Sequence, residues 1–147
     1  MKKGGYTLLE MIIVLALISI LLSLAYPNIN FYRRIREKRE IIEFKKDLMF
    51  ARNRAIIESK NYIVYFYHSE NRYKIKGGER SSVVKDKMFK YGIRLETTNP
   101  IKSFIFKSNG TTLNSDTLYF RDSFNQRYKV TLTPATGRIS FSLDNVN

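Results

Sequence analysis

The hydrophobic pattern begins with a long apolar segment that carries a single charge at its start. Residues 11–32 contain no charged side chain, and Glu10 stands directly before them. As a helix rising about 1.5 Å per residue, this segment would extend about 33 Å, which exceeds the bilayer core of about 30 Å. The segment therefore predicts a membrane-spanning helix with a carboxylate at its edge, and a carboxylate in lipid needs a positive partner.

A second helical pattern follows Pro27. Apolar residues recur there at spacings of three and four, the period of one helix face. The main row is Ile41, Phe44, Leu48, Ala51 and Ala55, and the adjoining row is Ile35, Ile42, Met49 and Ile56. The opposite positions are polar: Arg39, Glu43, Lys46, Asn53 and Lys60. We expect one helix from about residue 6 to residue 59, bent or interrupted at Pro27, with its apolar rows packed on a sheet.

The remainder of the chain has the pattern of strands separated by turns. Aromatic and β-branched residues fill positions 61–67, and apolar and polar residues alternate at 127–133 and 138–143. Further strands are predicted at 73–75, 88–96, 103–107 and 117–121, with turns at 70–72, 77–78, 109–110 and 134–137. A long helix followed only by strands predicts an α+β fold with an antiparallel β-sheet domain.

The charge balance changes the picture of possible partners. The chain has a net charge of +13, which becomes 13 − 2 = +11 without Lys2 and Lys3. Basic surfaces attract polyanions such as DNA, anionic lipid or wall polymers, although a solvated basic face explains the same charge without a partner. The candidate DNA contacts lie near the C-terminal strands: Arg121, Arg127, Lys129 and Arg138.

Catalytic chemistry finds little support in the sequence. His68 is the one histidine, at a predicted strand end, and no phosphate-binding loop, paired-carboxylate motif or metal-ligand spacing occurs. The absence of cysteine excludes a disulfide framework and a thiolate metal site. Tyrosines between basic residues at 72–74 and 127–129 could stack on bases, but strand alternation produces the same pattern. We expect neither an enzyme nor a cofactor.

The N-terminal block resembles the leader of type IV prepilins. Residues 2–10, Lys-Lys-Gly-Gly-Tyr-Thr-Leu-Leu-Glu, combine basic residues, glycine, an aromatic residue and a glutamate ahead of the long apolar segment. The resemblance implies cleavage between Gly5 and Tyr6 by a prepilin peptidase, which also methylates the new amine of Tyr6. The family usually has Phe where this chain has Tyr6. The resemblance further implies that Glu10 neutralises the amine of a neighbouring subunit during filament assembly.

Two other readings of this segment remain open. One is a secretory signal peptide, with Lys2 and Lys3 as its basic region and Ser23-Leu24-Ala25 as its cleavage site. Its apolar stretch is longer than the usual 7–15 residues, and Glu10 lies inside it. The other is a plain membrane anchor, for which Glu10 has no purpose. The pilin-type leader accounts for the order and spacing together.

Two later segments resemble minor pilins of the secretion-pseudopilin H and FimT type. They are Leu48-x-x-Ala51-Arg52-x-x-Ala55-Ile56 and Thr136-Gly137-Arg138-Ile139, and Lys46-Asp47-Leu48-Met49 is similar to Gram-positive competence minor pilins. The resemblance implies a pilin fold. In it, residues 1–5 are the cleaved leader, 6–30 the transmembrane and filament-core half of the helix, and 31–147 the globular domain.

The same resemblance implies a cellular role. The chain would enter the cell membrane as a single-pass protein with a cytoplasmic leader and then join an extracytoplasmic filament. Its partners would be other pilin-like subunits, the prepilin peptidase and methyltransferase, an inner-membrane assembly platform and, in a competence filament, DNA. Secretion or twitching filaments are alternatives, as is a membrane-anchored basic module that binds polyanions without polymerising.

The first prediction concerns the leader. The mature chain should begin at N-methylated Tyr6, because only cleavage after Gly5 places Glu10 one helical turn from the new amine. Mass spectrometry of the native N-terminus measures this directly. A chain that begins at Tyr26 would instead identify a conventional signal peptide.

Overall fold

The computed structural model describes residues 7–25, 29–77, 82–97, 99, 101–113 and 115–144, without the side chains of Leu24 and Ala25. The chain forms two compact units, Met1–Tyr32 and Arg33–Asn147. Gly5 and Tyr6, the predicted cleavage site, and Pro27, the predicted bend, lie outside the described residues.

Two helices account for the described part of the N-terminal region. Helix α1 covers Leu8–Ala25 and helix α2 covers Ile29–Ile57. Helix α2 ends two residues before the predicted Ser59, which adopts a φ of 52°. There the N–H of Lys60 donates to the carbonyl of Ala55 at 3.1 Å and satisfies a free C-terminal carbonyl.

Within the described ranges, no helix combines the length and the apolar character that a membrane crossing requires. The predicted transmembrane segment at 6–30 stays a prediction.

In the part of the chain that the structure describes, eight strands form two antiparallel sheets. The strands are β1 Tyr62–Tyr67, β2 Arg72–Gly77, β3 Ser82–Met88, β4 Arg94–Glu96, β5 Ile101–Phe106, β6 Asp116–Arg121, β7 Arg127–Thr133 and β8 Arg138–Asp144. Sheet 1 has the order β3-β2-β1-β5 and sheet 2 has the order β4-β6-β7-β8. The α+β class is confirmed, and the predicted strands 127–133 and 138–143 match β7 and β8 closely because alternation persists along both.

The predicted strand at 88–96 is wrong. β3 ends at Met88, β4 covers only Arg94–Glu96, and the residues between them lead from sheet 1 to sheet 2. Asn71 holds this connection, because its side-chain amide donates to the carbonyls of Phe89 and Ile93 at 3.2 and 2.6 Å. A side chain from a distant turn therefore replaces the strand ladder that the sequence pattern suggested.

Two further features keep this connection out of a sheet. Gly92 adopts a φ of 115°, which residues with a Cβ rarely reach. The carboxylate of Glu40 on α2 accepts the backbone N–H groups of Lys90 and Tyr91 at 2.6 and 3.1 Å. Burial raises the pKa of Glu40, and these two hydrogen bonds oppose the rise only in part.

The main apolar row of α2 forms the centre of the core, as predicted. Its five residues, Ile41, Phe44, Leu48, Ala51 and Ala55, are all buried. The ring of Phe44 contacts Phe66 and Tyr73 of sheet 1 and Phe120 and Phe141 of sheet 2, at centroid distances of 5.0–6.1 Å. One helix side chain therefore packs against both sheets.

The adjoining row is not part of this core. Ile42, Met49 and Ile56 are 53 %, 43 % and 44 % exposed, so the expectation that both rows pack on the sheets is wrong for these residues. Each of the three directly follows a buried residue of the main row, and one residue is a rotation of about 100° around the helix. The adjoining row therefore lies beside the core-facing side of α2 and not on it.

A buried carboxylate joins α2 to sheet 1. Asp47 is 3 % exposed and accepts hydrogen bonds from Tyr73 Oη at 2.7 Å and Lys85 Nζ at 2.6 Å, with Lys87 Nζ at 3.0 Å. Burial alone would raise the pKa of Asp47, but its three partners outweigh burial and lower it. Burial is the main reason that the pKa of the Tyr73 hydroxyl is raised, and its hydrogen bond to Asp47 raises the pKa further. The pair is thus held as carboxylate and neutral phenol.

The second prediction tests the two rows of α2 against each other. Leu48→Ala should lower the free energy of unfolding by about 2–5 kcal/mol, because Leu48 is fully buried and leaves a cavity. Ile42→Ala is the matched control and should change it by less than about 0.5 kcal/mol, because Ile42 is exposed. Urea unfolding of the two purified variants measures both. Equal effects would place Leu48 outside the core.

Candidate functional site

Glu10 lies in the first turn of α1, at the end of the helix where the peptide dipoles favour a negative charge. Thr7 caps this end, because its hydroxyl accepts the N–H of Glu10 at 3.3 Å. The Thr-x-x-Glu spacing is the signature of a capping box, a signal that the sequence analysis overlooked. Among the described residues the carboxylate of Glu10 is exposed and has no ion-pair partner. It is therefore available to a group from outside the described chain.

The rest of α1 is an exposed apolar surface. Every large apolar side chain from Leu8 to Leu22 is at least 46 % exposed. Soluble monomers seldom leave so long an apolar surface uncovered, and such a surface usually marks an interface with lipid or protein. An apolar helix headed by one free carboxylate is suited to packing among other apolar helices that supply a cation.

The four predicted DNA-contact residues share the outer face of sheet 2, but their surroundings differ. Arg121 and Arg127 stand opposite each other in the register of β6 and β7, and both contact the carboxylate of Glu96, Arg127 Nε at 2.9 Å. Arg127 also approaches Asp144 at 3.3 Å and lies 4.0 Å from the ring centroid of Tyr119. These two arginines are largely neutralised by their own sheet.

Lys129 and Arg138 have no acidic partner among the described residues. Lys129 pairs with Ser142 of β8, and Arg138 lies four residues before Ser142 on that strand, a separation of about 13 Å. The four cations therefore do not form one cluster, because Arg138 lies at the far end of β8. Contact with DNA stays a prediction for all four.

In the segments 72–74 and 127–129, where a tyrosine stands between two basic residues, both tyrosines point inward. Tyr73 is 3 % exposed and bonds to Asp47, and Tyr128 packs against the core. Strand alternation accounts for both segments. The sequence analysis instead missed Tyr65 and Tyr67, half-buried residues of β1, whose rings lie 5.2 and 5.6 Å from the amines of Lys76 and Lys74. Alternation within 62–67 was the signal that could have identified them.

Arg52 is a second residue whose role the sequence analysis missed. It reaches from α2 to two distant turns, donating from Nε to the carbonyl of Gly110 at 3.0 Å and from a terminal nitrogen to that of Thr136 at 2.9 Å. Gly137 has a φ of 59°, and a Cβ there would collide with the carbonyl oxygen of Gly110. The two segments that carried the downstream resemblance, around Arg52 and Gly137, thus meet in space.

Two comparisons agree with this geometry. Residues 1–26 match the prokaryotic N-terminal methylation motif. The fold is similar to that of the minor pseudopilin EpsH from the Type 2 Secretion System of Vibrio cholerae, with a TM-score of 0.60 and 16 % sequence identity. The similarity covers 76 % of this chain and 99 % of EpsH, and at this identity it concerns the fold alone. No curated protein matches the chain.

Proposed function

We propose that the chain is a type IV pilin-like protein, a minor subunit of a type IV filament machine, because it has an N-terminal methylation motif and a fold similar to that of a minor pseudopilin. The observation that carries the proposal is the exposed apolar helix α1, with the free carboxylate of Glu10 in its first turn and the methylation motif around it. Its role is structural and not catalytic.

Assembly would bring Glu10 against the N-terminal amine of a neighbouring subunit. Cleavage after Gly5 creates that amine on Tyr6, and methylation leaves it cationic. A carboxylate among apolar helices is costly when unpaired and much less costly when it pairs with a cation. The subunit would wait in the cell membrane, be processed by the prepilin peptidase, and pass through an assembly platform into an extracytoplasmic filament.

The third prediction tests this pairing. Glu10→Val should leave the protein processed and folded but should lower its amount in sheared filaments severalfold, because the neighbour's amine loses its partner. Glu70→Val is the control, since it also removes one carboxylate but from the exposed surface of the globular unit. Normal amounts of the Glu10→Val variant in filaments would contradict the proposal that Glu10 pairs with the amine of a neighbouring subunit.

Within this class, we propose a competence filament that takes up DNA. The basic charge of the mature chain, +11, supports the proposal, as do Lys129 and Arg138, which have no acidic partner among the described residues. A type II secretion pseudopilus is the second candidate, and the fold similarity to EpsH favours it. Contacts to phosphates carry no sequence information, so DNA binding would be weak, independent of sequence and sensitive to salt.

The fourth prediction separates these two candidates. If Lys129 and Arg138 each contact one phosphate, Lys129→Ala/Arg138→Ala should reduce the slope of log affinity against log salt by about 1.8. Lys90→Ala/Lys107→Ala removes the same charge elsewhere and should leave the slope unchanged. Fluorescence anisotropy of the purified chain with duplex DNA, at several salt concentrations, measures the slope. No binding at low salt would leave the secretion pseudopilus as the better proposal.

A further inference from the structure

One side of α2 carries an apolar row that is largely open. Ile42 and Met49 are about half exposed, and the half-buried Ile35 continues the row toward the helix start. Ile56, at the other end of the row, lies against Gly110 of the globular unit, so the open part extends from residue 35 to residue 49, about 21 Å. A seven-residue repeat is the spacing at which two helices keep their contact side facing each other. We name the row and its flanking cations the α2 ridge.

The flanks of the α2 ridge are basic. Lys38, Arg39 and Lys46 are exposed and have no acidic partner among the described residues. They belong to a helix segment, residues 33–57, that also contains four acidic residues. The positive charge of the ridge therefore depends on where those acidic side chains point.

All four acidic side chains make their contacts on the side of the globular unit. Glu37 is buried and accepts a hydrogen bond from Ser123, and Glu40 accepts the N–H groups of Lys90 and Tyr91. Glu43 pairs with Lys87, and Asp47 pairs with Lys85 and Lys87. The acidic groups thus make their contacts with the strands and their connections, whereas the basic groups of the ridge have no acidic partner among the described residues. Glu43 is 59 % exposed and borders the same groove as Arg39 and Lys46, but its carboxylate is paired with Lys87.

We propose that the α2 ridge binds a helix of a different pilin-like subunit, one whose own exposed apolar row is flanked by Asp or Glu. The apolar rows supply the contact area, and the opposite charges select the partner. Two copies of this chain would bring Lys38, Arg39 and Lys46 against their own equivalents, which opposes self-association. The inference rests on the proposed filament role and adds to it the chemistry of the neighbouring subunit.

Photocrosslinking identifies the partner in intact cells that assemble filaments. A photoreactive amino acid replaces Met49 in the full chain, and a control places it at Ile101, which is 56 % exposed on β5. We expect the Met49 probe, and not the Ile101 probe, to capture a helix peptide of another pilin-like subunit with Asp or Glu beside its apolar row. Capture of a second copy of this chain, of lipid or of nucleic acid, or no capture, overturns the inference.

Charge reversal tests the selection. Lys38→Glu/Lys46→Glu should lower the amount of the chain in sheared filaments about tenfold or more, because the partner's acidic residues then meet like charge. Lys90→Glu/Lys107→Glu, an equal charge change on exposed residues off the ridge, should leave it unchanged. Changing the acidic residues of the captured helix to Lys should restore the amount of the Lys38→Glu/Lys46→Glu variant in filaments. Equal incorporation of both double variants overturns the inference.

The outcomes also distinguish the two proposals. If the unaltered chain is absent from filaments, the proposed function fails and the inference fails with it. If the unaltered chain is present but the ridge reversal has no effect, only the inference fails. Should the reversed variant be degraded, the crosslink from Met49 decides, because that measurement leaves Lys38 and Lys46 unchanged.

Discussion

The packing of Phe44 between the two sheets is the interaction on which the rest of the globular unit depends. No described strand belongs to both sheets, and the ring of Phe44 contacts aromatic residues of both. Lys102 adds a polar link, because this β5 residue pairs with Asp116 of β6 at 2.7 Å. The main apolar row of α2 therefore holds two small sheets in one core, without any cysteine in the chain.

This packing also determines what α2 presents to its surroundings. One side of α2 packs into the core. The acidic residues near that side therefore form hydrogen bonds and ion pairs with the strands and their connections. Lys38, Arg39 and Lys46 on the other side have no acidic partner in the part of the chain that the structure describes. The charge of the exposed side is thus a consequence of how the fold satisfies its own carboxylates, and this side is the surface that we propose for assembly.

Features that repeat along the chain could be predicted from sequence, and features that depend on distant partners could not. The row through Phe44 and the strands β7 and β8 were predictable, because burial imposes a period on each. The connection after Met88 was not, because Asn71 and Glu40 hold it from 18 or more residues away. The edge strand β3 has no alternation to reveal it, since most of its residues are exposed.

The candidate site likewise has one feature that the sequence predicts and one that depends on a distant residue. Glu10 could be identified from local spacing, because its helix position and its distance from Gly5 are both sequence properties. The neutralisation of Arg121 and Arg127 could not, because Glu96 lies 25 and 31 residues away from them. The most direct test of a filament role is the amount of this chain in filaments purified from cells with and without the filament-assembly ATPase. The account predicts a minor component that disappears without the ATPase. Filaments that purify without the chain, or equal release from cells that assemble none, would contradict it.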